Sequence, residues 1–284
     1  MDTMKIAVLM TVHNRKDVTL RSLQTLYNTI DFLREELIFD IYMTDDGCTD
    51  GTSEAVANLF PQVTILKGDG NLFWGRGMNT AWKAAASIYD YDAYIWMNDD
   101  AYLYDNALAE LIKGWRELGD NTIISGAFVD VEGNPSYGGM NKHLIPYKAN
   151  GNYQKIDYMN GNFVLVPKCI FKKVGYIDGF YHHGGGDFAY GCKAIRDGFN
   201  VVLSSCNVGT TNRNMPAPPK FSLPQYSLKV RLSYLYSPIT NPWIDFILNW
   251  KYRSRRVAIK NFVWAHAIML FPGLYSSIKH LKKN

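Results

Sequence analysis

The sequence predicts a layered α/β fold with parallel strand pairing. Short apolar runs of strand length alternate with segments whose apolar residues recur at helical spacing, and polar clusters follow three of the first four runs. Strands and helices in this order pair their strands in parallel through right-handed crossovers. Ligands of open sheets bind beyond the carboxyl ends of the strands, so we expect the three polar clusters to meet in one cleft.

Each element follows from its own pattern. An apolar run at residues 5–10 predicts the first strand, and apolar residues spaced three or four apart predict a helix over 17–34. The same reasoning predicts strands over 39–44, 63–66 and 93–97, with helices over 52–60 and 77–89. Further on, strands over 123–131, 156–167 and 200–204 and a helix over 187–197 are expected to complete the sheet and form a second wall of the cleft.

Charge divides the chain into two parts. With 284 residues, 47% of them hydrophobic and 20% charged, the chain is neither a disordered segment nor a disulfide-stapled miniprotein. The net charge of +4 conceals a split, because residues 1–219 carry 19 Lys and Arg against 25 Asp and Glu, whereas residues 220–284 carry 11 against 1. A proline cluster at 215–219 separates the parts. We therefore expect a domain over 1–219, with halves at about 1–120 and 121–219, and a basic aromatic tail over 220–284.

Several protein classes are disfavoured by what the sequence lacks. The four cysteines form no CxxC pair, so neither a zinc knuckle nor a redox motif is indicated. The first residues show no basic region or cleavage site of a secretory signal, and no apolar stretch is long enough for a membrane span. We expect a cytoplasmic protein.

Three polar segments carry residue types suited to a phosphorylated ligand. Asp99 and Asp100 directly follow an apolar strand, and such a pair either binds Mg²⁺ together with substrate phosphates or caps the next helix. Residues 45–52 (DDGCTDGT) combine turn residues with Asp46, which is also suited to a base or ribose. Residues 70–79 (GNLFWGRGMN) open a helix with glycines and Arg76, as phosphate sites do, but contain no Walker A motif.

Taken in order, these segments resemble the GT-A fold of family 2 inverting glycosyltransferases. The resemblance is carried by TVHNR at 11–15, by the 45–52 and 70–79 segments, and by WMNDD at 96–100, which stands where the family has its DxD-type metal motif. Segments at 161–168, 174–181 and 184–199 resemble the family's acceptor side. The resemblance covers residues 4–214 and implies a mixed central sheet flanked by helices. Within this family, the chain most resembles bacterial rhamnosyl- and galactofuranosyltransferases of surface polysaccharide synthesis.

The resemblance implies a role for each matching residue. The residues implied to bind the nucleotide sugar are Thr11, Arg15, Asp46, Trp74, Arg76, Asn98 and Asp99. Thr11 and Asp46 face the base and ribose, Arg15 and Arg76 approach the diphosphate, and Trp74 stacks on a sugar. Asp100 is the implied protein ligand of Mg²⁺ or Mn²⁺, and Asp187 is the implied catalytic base, which takes the proton of the acceptor hydroxyl.

Two features depart from the family pattern. Asp187 is the only carboxylate where relatives have several, because Gly186 precedes it and Ala189 follows Phe188. Many relatives also have a metal-binding His after the next strand, but residues 208–214 contain none. Of the nearby histidines, His182 and His183 are the candidates to replace it.

The tail over 226–284 interleaves cationic and aromatic residues on predicted helices, as in Arg255, Arg256 and Trp264. One interpretation is peripheral contact with an anionic membrane that carries a lipid-linked acceptor. The alternatives are a helical subdomain that packs on the first domain or forms a homodimer interface. Nucleic-acid binding is disfavoured because the rest of the chain is acidic.

Three functions are therefore compared. The first is a metal-dependent inverting glycosyltransferase that transfers a sugar from a nucleotide-sugar donor to a saccharide or lipid-linked acceptor. The second is a sugar-phosphate nucleotidyltransferase, disfavoured because no glycine-rich basic loop follows the first strand. The third is a non-catalytic module that binds nucleotide sugars or carbohydrates.

Overall fold

The computed structural model describes residues 3–33, 36–211 and 218–272. The chain divides into two compact units, one formed by residues 1–179 with 186–213 and the other by residues 180–185 with 214–284. The proline cluster predicted as a boundary lies mostly outside the described residues, since only Pro218 and Pro219 of residues 215–219 are described.

The first unit contains the predicted sheet. Its strands are β1 (Lys5–Val12), β2 (Ile38–Asp45), β3 (Thr64–Lys67), β4 (Ala93–Met97), β5 (Tyr102–Leu103), β6 (Thr122–Val129), β7 (Gly139–Met140), β8 (Gln154–Lys155), β9 (Tyr158–Met159), β10 (Phe163–Pro167) and β11 (Asn200–Thr210). The main sheet has the order β3-β2-β1-β4-β10-β6-β11-β5, with β8 paired to β11, while β7 and β9 form a separate pair.

The sheet is mixed, as expected. Strands β1 to β4 pair in parallel, whereas β10 runs antiparallel to both β4 and β6, and β11 runs parallel to β6. The parallel register places Thr11 beside Thr44 and Val12 beside Asp45. The carboxyl ends of β1, β2 and β4 therefore lie at one edge, which is where the sequence analysis expects the site.

Helices cover both faces of this sheet. They are α1 (Lys16–Phe32), α2 (Thr52–Leu59), α3 (Phe73–Ile88), α4 (Ala107–Leu118), α5 (Lys168–Val174) and α6 (Gly186–Arg196). Alternate residues of β1 serve the two cores: Val8 packs with Leu23 of α1 on one face, and Leu9 packs with Trp82 of α3 on the other. This is the period-two pattern of a strand buried on both sides, and it confirms the α/β prediction.

The second unit is helical, as predicted for the tail. It contains a short 3₁₀ turn (Lys220–Ser222) and the helices α7 (Leu228–Leu235), α8 (Pro242–Tyr252) and α9 (Arg255–Leu270). Its buried apolar cluster is small and consists of Phe221, Leu235, Ile268 and Met269. None of the described helices is both long and apolar enough to cross a bilayer.

The strand predicted over 156–167 is divided into β9 and β10. Two further elements differ from their predicted bounds because of residues distant in sequence. Helix α3 begins at Phe73 rather than at residue 77, because the Asp46 carboxylate accepts hydrogen bonds from the N–H groups of Leu72 and Phe73. Strand β11 continues to Thr210 instead of ending at 204, because it passes through irregular pairing with β6 and then pairs with β5. Neither partner is visible in the local sequence.

Candidate functional site

The polar segments that follow β1, β2 and β4 are joined by hydrogen bonds at one edge of the sheet. His13 Nδ1 lies 2.6 Å from the carbonyl oxygen of Asp46, and Asn14 Oδ1 accepts from the Thr49 N–H at 2.7 Å. Arg15 reaches the segment after β4. The cleft predicted from three separate strand ends is therefore one connected surface.

Arg15 bridges the two adjacent carboxylates after β4. Its Nη1 lies 2.9 Å from Asp99 Oδ1 and its Nη2 lies 3.0 Å from Asp100 Oδ2. Burial raises the pKa of the Asp99 carboxyl to about 7, while the Arg15 charge acts in the opposite direction and Asp100 adds to the rise. Both carboxylates thus face a cation in the folded chain, which is the relief that a repelling pair requires.

The same pair fits a divalent ion only in part. Among residues 3–33, 36–211 and 218–272, no group of three or more His, Cys, Asp or Glu side chains is placed to hold a metal. Mg²⁺ and Mn²⁺ are hard ions, and Mg²⁺ commonly takes one or two carboxylates and completes its shell with substrate phosphates and water. Asp99 and Asp100 match that donor set, so these residues fit a metal that arrives with a diphosphate.

Asp46 organises the turn that begins α3. Its carboxylate accepts from the N–H groups of Gly70 at 2.9 Å, Leu72 at 3.1 Å and Phe73 at 2.8 Å. It is 3% exposed, so these bonds satisfy unpaired donors at a helix start in a nearly water-free position. The geometry accounts for Asp46 as the residue that shapes the 70–73 turn.

The carboxylate of the neighbouring Asp45 is bonded by both side-chain and backbone donors. Its carboxylate accepts from Lys67 Nζ at 2.7 Å, from the Cys48 N–H at 2.6 Å and from the Ser53 hydroxyl. Burial opposes ionisation, but these donors outweigh it and hold the pKa of Asp45 well below its usual range. Asp45 is therefore a fixed anion that anchors the 45–53 loop.

Trp74, Asn98 and Asp187 meet around Gly161. The indole N–H of Trp74 donates to Asn98 Oδ1 at 2.7 Å, and the Gly161 N–H donates to Asp187 Oδ2 at 2.8 Å. A Cβ atom on Gly161 would lie 2.7 Å from Trp74 Cζ2 and 3.2 Å from Asp187 Cβ. The glycine thus allows the tryptophan ring and the carboxylate to share one small space.

Asp187 lies in the first turn of α6. Its Oδ1 accepts from the Phe188 N–H at 2.8 Å, and its Oδ2 is held by Gly161. Burial raises the pKa of Asp187, and these two N–H groups only partly offset that rise. An oriented carboxylate with a raised pKa suits a general base.

Thr11 lies against Gly77 near the start of α3, and Arg76 belongs to the same helix. A Cβ atom on Gly77 would overlap Thr11 Oγ1, so only glycine lets the helix approach β1 this closely. Arg76 donates from Nε to the Gly179 carbonyl at 3.2 Å. The contacts connect Arg15 to Asp99 and Asp100, and Trp74 to Asn98 and Asp187, whereas Arg76 is bound to the 179 turn instead.

The sequence motifs contain Gly161 and Gly77 but indicate no role for either glycine. A side chain does not fit at either position. Thr11 lies 66 residues before Gly77, whereas Trp74 lies 87 residues before Gly161 and Asp187 lies 26 residues after it. A single sequence gives no signal for such a contact. Asn14, which connects the first polar segment to the second through the Thr49 N–H, likewise has no signal of its own within TVHNR.

Comparison with known proteins connects this edge to an enzyme family. The sequence profile described as "Glycosyl transferase family 2" matches residues 7–177, more than half of the chain. The match contains every candidate residue from Thr11 to Asp100 and ends before Asp187. No curated protein matches the sequence at a significant level.

Solved structures share the fold at low sequence identity. Relatives include GalNAc-T7 with UDP, GalNAc and Mn²⁺ (TM-score 0.57, 13% identity, 82% of this chain and 48% of that one). They also include S. aureus TarS 1-349 with UDP-GlcNAc (TM-score 0.59, 14% identity, 95% and 72%). A third is the mannosyltransferase PcManGT of Pyrobaculum calidifontis with GDP-Man and Mn²⁺ (TM-score 0.58, 14% identity, 98% and 80%). The chain spans 48% of GalNAc-T7 and 43% of the longer TarS chain.

Proposed function

The chain belongs to glycosyl transferase family 2, and from this premise we propose that it transfers a sugar, with inversion, from a nucleotide-sugar donor to a hydroxyl of a saccharide or lipid-linked acceptor. One observation carries the proposal. Asn98 accepts a hydrogen bond from the indole N–H of Trp74, and the Trp74 ring lies next to Gly161, as Asp187 does. The Asp99 and Asp100 pair directly follows Asn98 in the chain. These contacts support a donor diphosphate site at Asp99 and Asp100, with Asp187 as a separate carboxylate at the same edge of the sheet.

We propose that the donor occupies the edge formed by β1, β2 and β4. Thr11 faces its base and ribose, and Asp46 serves the same part of the site by fixing the 70–73 turn. Arg15 and Arg76 supply positive charge for the diphosphate, where negative charge grows as the sugar leaves. The TarS and PcManGT structures contain UDP-GlcNAc and GDP-Man, which supports a nucleotide sugar as the donor class.

Asp100 is the proposed protein ligand of Mg²⁺ or Mn²⁺, with Asp99 beside it facing the ribose or a ligand water. The ion would neutralise charge on the departing diphosphate. Mn²⁺ is present in the structures of two relatives, GalNAc-T7 and PcManGT. Because Arg15 bridges both carboxylates, a bound ion would compete with its guanidinium, which would supply positive charge to the diphosphate.

Asp187 is the proposed base. Its carboxylate takes the proton of the acceptor hydroxyl as the hydroxyl oxygen bonds to the anomeric carbon and the bond from that carbon to the diphosphate oxygen breaks. Attack from the face opposite the leaving group inverts the anomeric configuration. The N–H groups of Gly161 and Phe188 orient the carboxylate, and proton removal by such a group contributes roughly 10² to 10⁴-fold in rate.

We further propose the setting of the reaction. The catalytic domain spans residues 1–219, and the chain works in bacterial surface polysaccharide synthesis at the cytoplasmic face of the plasma membrane. Residues 226–284, which carry 10 Lys and Arg against 1 Asp, provide peripheral contact with anionic lipid. Rhamnosyl and galactofuranosyl nucleotides are the first donors to test, because the motif segments resemble enzymes that use them.

A thermal-shift screen of UDP-, GDP- and dTDP-sugars, with and without Mn²⁺, tests the donor site. A donor that binds the native state stabilises it by RT ln(1 + [L]/Kd). We expect a Mn²⁺-dependent shift that Asp100→Asn abolishes, and release of a nucleoside diphosphate when acceptor is added. Release of pyrophosphate would instead indicate a nucleotidyltransferase, and binding without turnover on any acceptor would indicate a binding module.

A further inference from the structure

Helix α9 of the second unit has several large apolar side chains that are exposed. Its buried residues are Ala258, Ile268 and Met269. Large apolar side chains are exposed along the rest of the helix and at its end, namely Ile259 (51%), Val263 (60%), Trp264 (39%), Leu270 (48%) and Phe271 (63%). Several large apolar side chains exposed on one short helix, rather than scattered singly, indicate an interaction site.

Four exposed residues of α9 share one face. At 100° per residue, Arg256, Lys260, Val263 and Leu270 fall within about 80° of one another around the helix axis. The amino-terminal part of this face is basic and the part from Val263 onward is apolar. Helix α9 contains no acidic residue.

The adjacent helix α8 adds aromatic side chains to the same hairpin. Trp243 and Trp250 are 45% and 41% exposed, and both pack against Phe246. The Arg255 guanidinium lies over the Trp250 ring at 5.0 Å from its centroid. Exposed indole rings beside guanidinium groups suit the boundary between polar headgroups and acyl chains.

Charge identifies the occupant of this face. Residues 218–272 contain eight Lys and Arg against one Asp, and that residue, Asp245, is bonded by the side-chain amides of Asn249 and Asn261. The same basic face of a second copy would bring the same positive charge and be repelled, whereas an anionic surface complements the charge of Arg256 and Lys260. The partner is therefore anionic and apolar at once.

We propose that the exposed face of α8 and α9 docks on an anionic lipid bilayer, with the apolar part of α9 entering the headgroup boundary. The docking rests on the proposed function only in that a lipid-linked acceptor gives it a purpose. The binding itself needs no donor, metal or turnover. Each basic residue at an anionic surface contributes about fivefold in partitioning.

Sedimentation of the full chain with vesicles tests the proposal. We expect binding to vesicles of phosphatidylcholine mixed with phosphatidylglycerol, weak binding to pure phosphatidylcholine, and loss of binding at high salt. Replacing Arg255, Arg256 and Lys260 together by Gln should weaken binding about 100-fold. The pair Val263→Gln and Leu270→Gln should weaken it by about tenfold or more.

The matched control is the pair Val131→Gln and Leu59→Gln in the first unit, where the two side chains are 81% and 63% exposed. This pair should bind vesicles like the unchanged chain, and thermal melting confirms that all variants fold. Absence of binding by the unchanged chain, or equal binding by all variants, would overturn the proposal. So would a dimer in solution that the Val263 and Leu270 pair converts to monomer, because the face would then bind a second copy. Turnover on a soluble saccharide acceptor is measured in parallel, so failure of docking is separable from failure of the proposed function.

Discussion

Substitution Gly161→Ala tests whether Trp74 and Asp187 share one packed space. The added methyl group would lie 2.7 Å from Trp74 Cζ2, 2.9 Å from Trp74 Cη2 and 3.2 Å from Asp187 Cβ. Ordinary carbon contacts are about 3.5–4.0 Å, so the indole must move by roughly 0.8 Å and the carboxylate by a few tenths. Overpacking of this size costs about 1–3 kcal/mol of stability, and misplacement of a reacting group by about 1 Å costs about 100-fold in rate.

The assay is kcat on the donor that gives the largest thermal shift, together with the melting temperature. Gly179→Ala is the matched control, because no atom lies within 4 Å of the position of its Cβ. Trp74→Phe withdraws the two clashing ring atoms, so combining it with Gly161→Ala should restore part of the stability. A Gly161→Ala variant with unchanged turnover and melting temperature would refute the reasoning.

Three further outcomes follow from the site. Arg15→Gln removes the cation that bridges the two carboxylates, so calorimetry should show Mn²⁺ alone binding about threefold tighter and UDP with Mn²⁺ binding about tenfold weaker. Burial raises the pKa of Asp99 to about 7 in the folded chain. Between pH 4 and 7, ionising the Asp99 carboxyl therefore costs more free energy in the folded chain than in the unfolded chain. The unfolding free energy relative to Asp99→Asn should therefore fall as pH rises through this window, by at most about 4 kcal/mol. Gly77→Ala should destabilise the chain by about 1–3 kcal/mol through contact with Thr11, and adding Thr11→Ala should recover part of that loss in thermal melts.

Each outcome has a contrary result. Equal or weaker Mn²⁺ binding by Arg15→Gln would show that the guanidinium does not compete with a metal. A constant difference between the unchanged chain and Asp99→Asn across pH would contradict the raised pKa. A Gly77→Ala variant that melts like Gly179→Ala would show that α3 does not need its close approach to β1.

The strands and the cleft could be predicted from the sequence because their signals are local. The run at Ala93–Met97 is apolar throughout and is bounded by polar residues, so its predicted and observed bounds agree. The start of α3 was not predictable in the same way. The donors at Leu72 and Phe73 are satisfied by Asp46, which lies 26 and 27 residues earlier in the chain.

The site shows the same division between local and distant signals. Adjacent carboxylates at Asp99 and Asp100 are compatible with a cation or a helix cap from sequence alone, and the sequence does not show that Arg15 provides the cation. Asp187 is identified by its resemblance to the family, whereas its contact with Gly161 depends on how β10 and α6 pack. Contacts across the fold, rather than residue types, are what sequence reasoning could not supply.

Asp187→Asn tests the central claim most directly, because its amide oxygen can still accept from the Gly161 N–H while the side chain no longer takes a proton. Donor binding is measured by the Mn²⁺-dependent thermal shift, and transfer is measured by release of nucleoside diphosphate with acceptor present. The account predicts an unchanged shift and a rate reduced by about 100-fold or more. Transfer at the unchanged rate, with the same donor and acceptor, would contradict it.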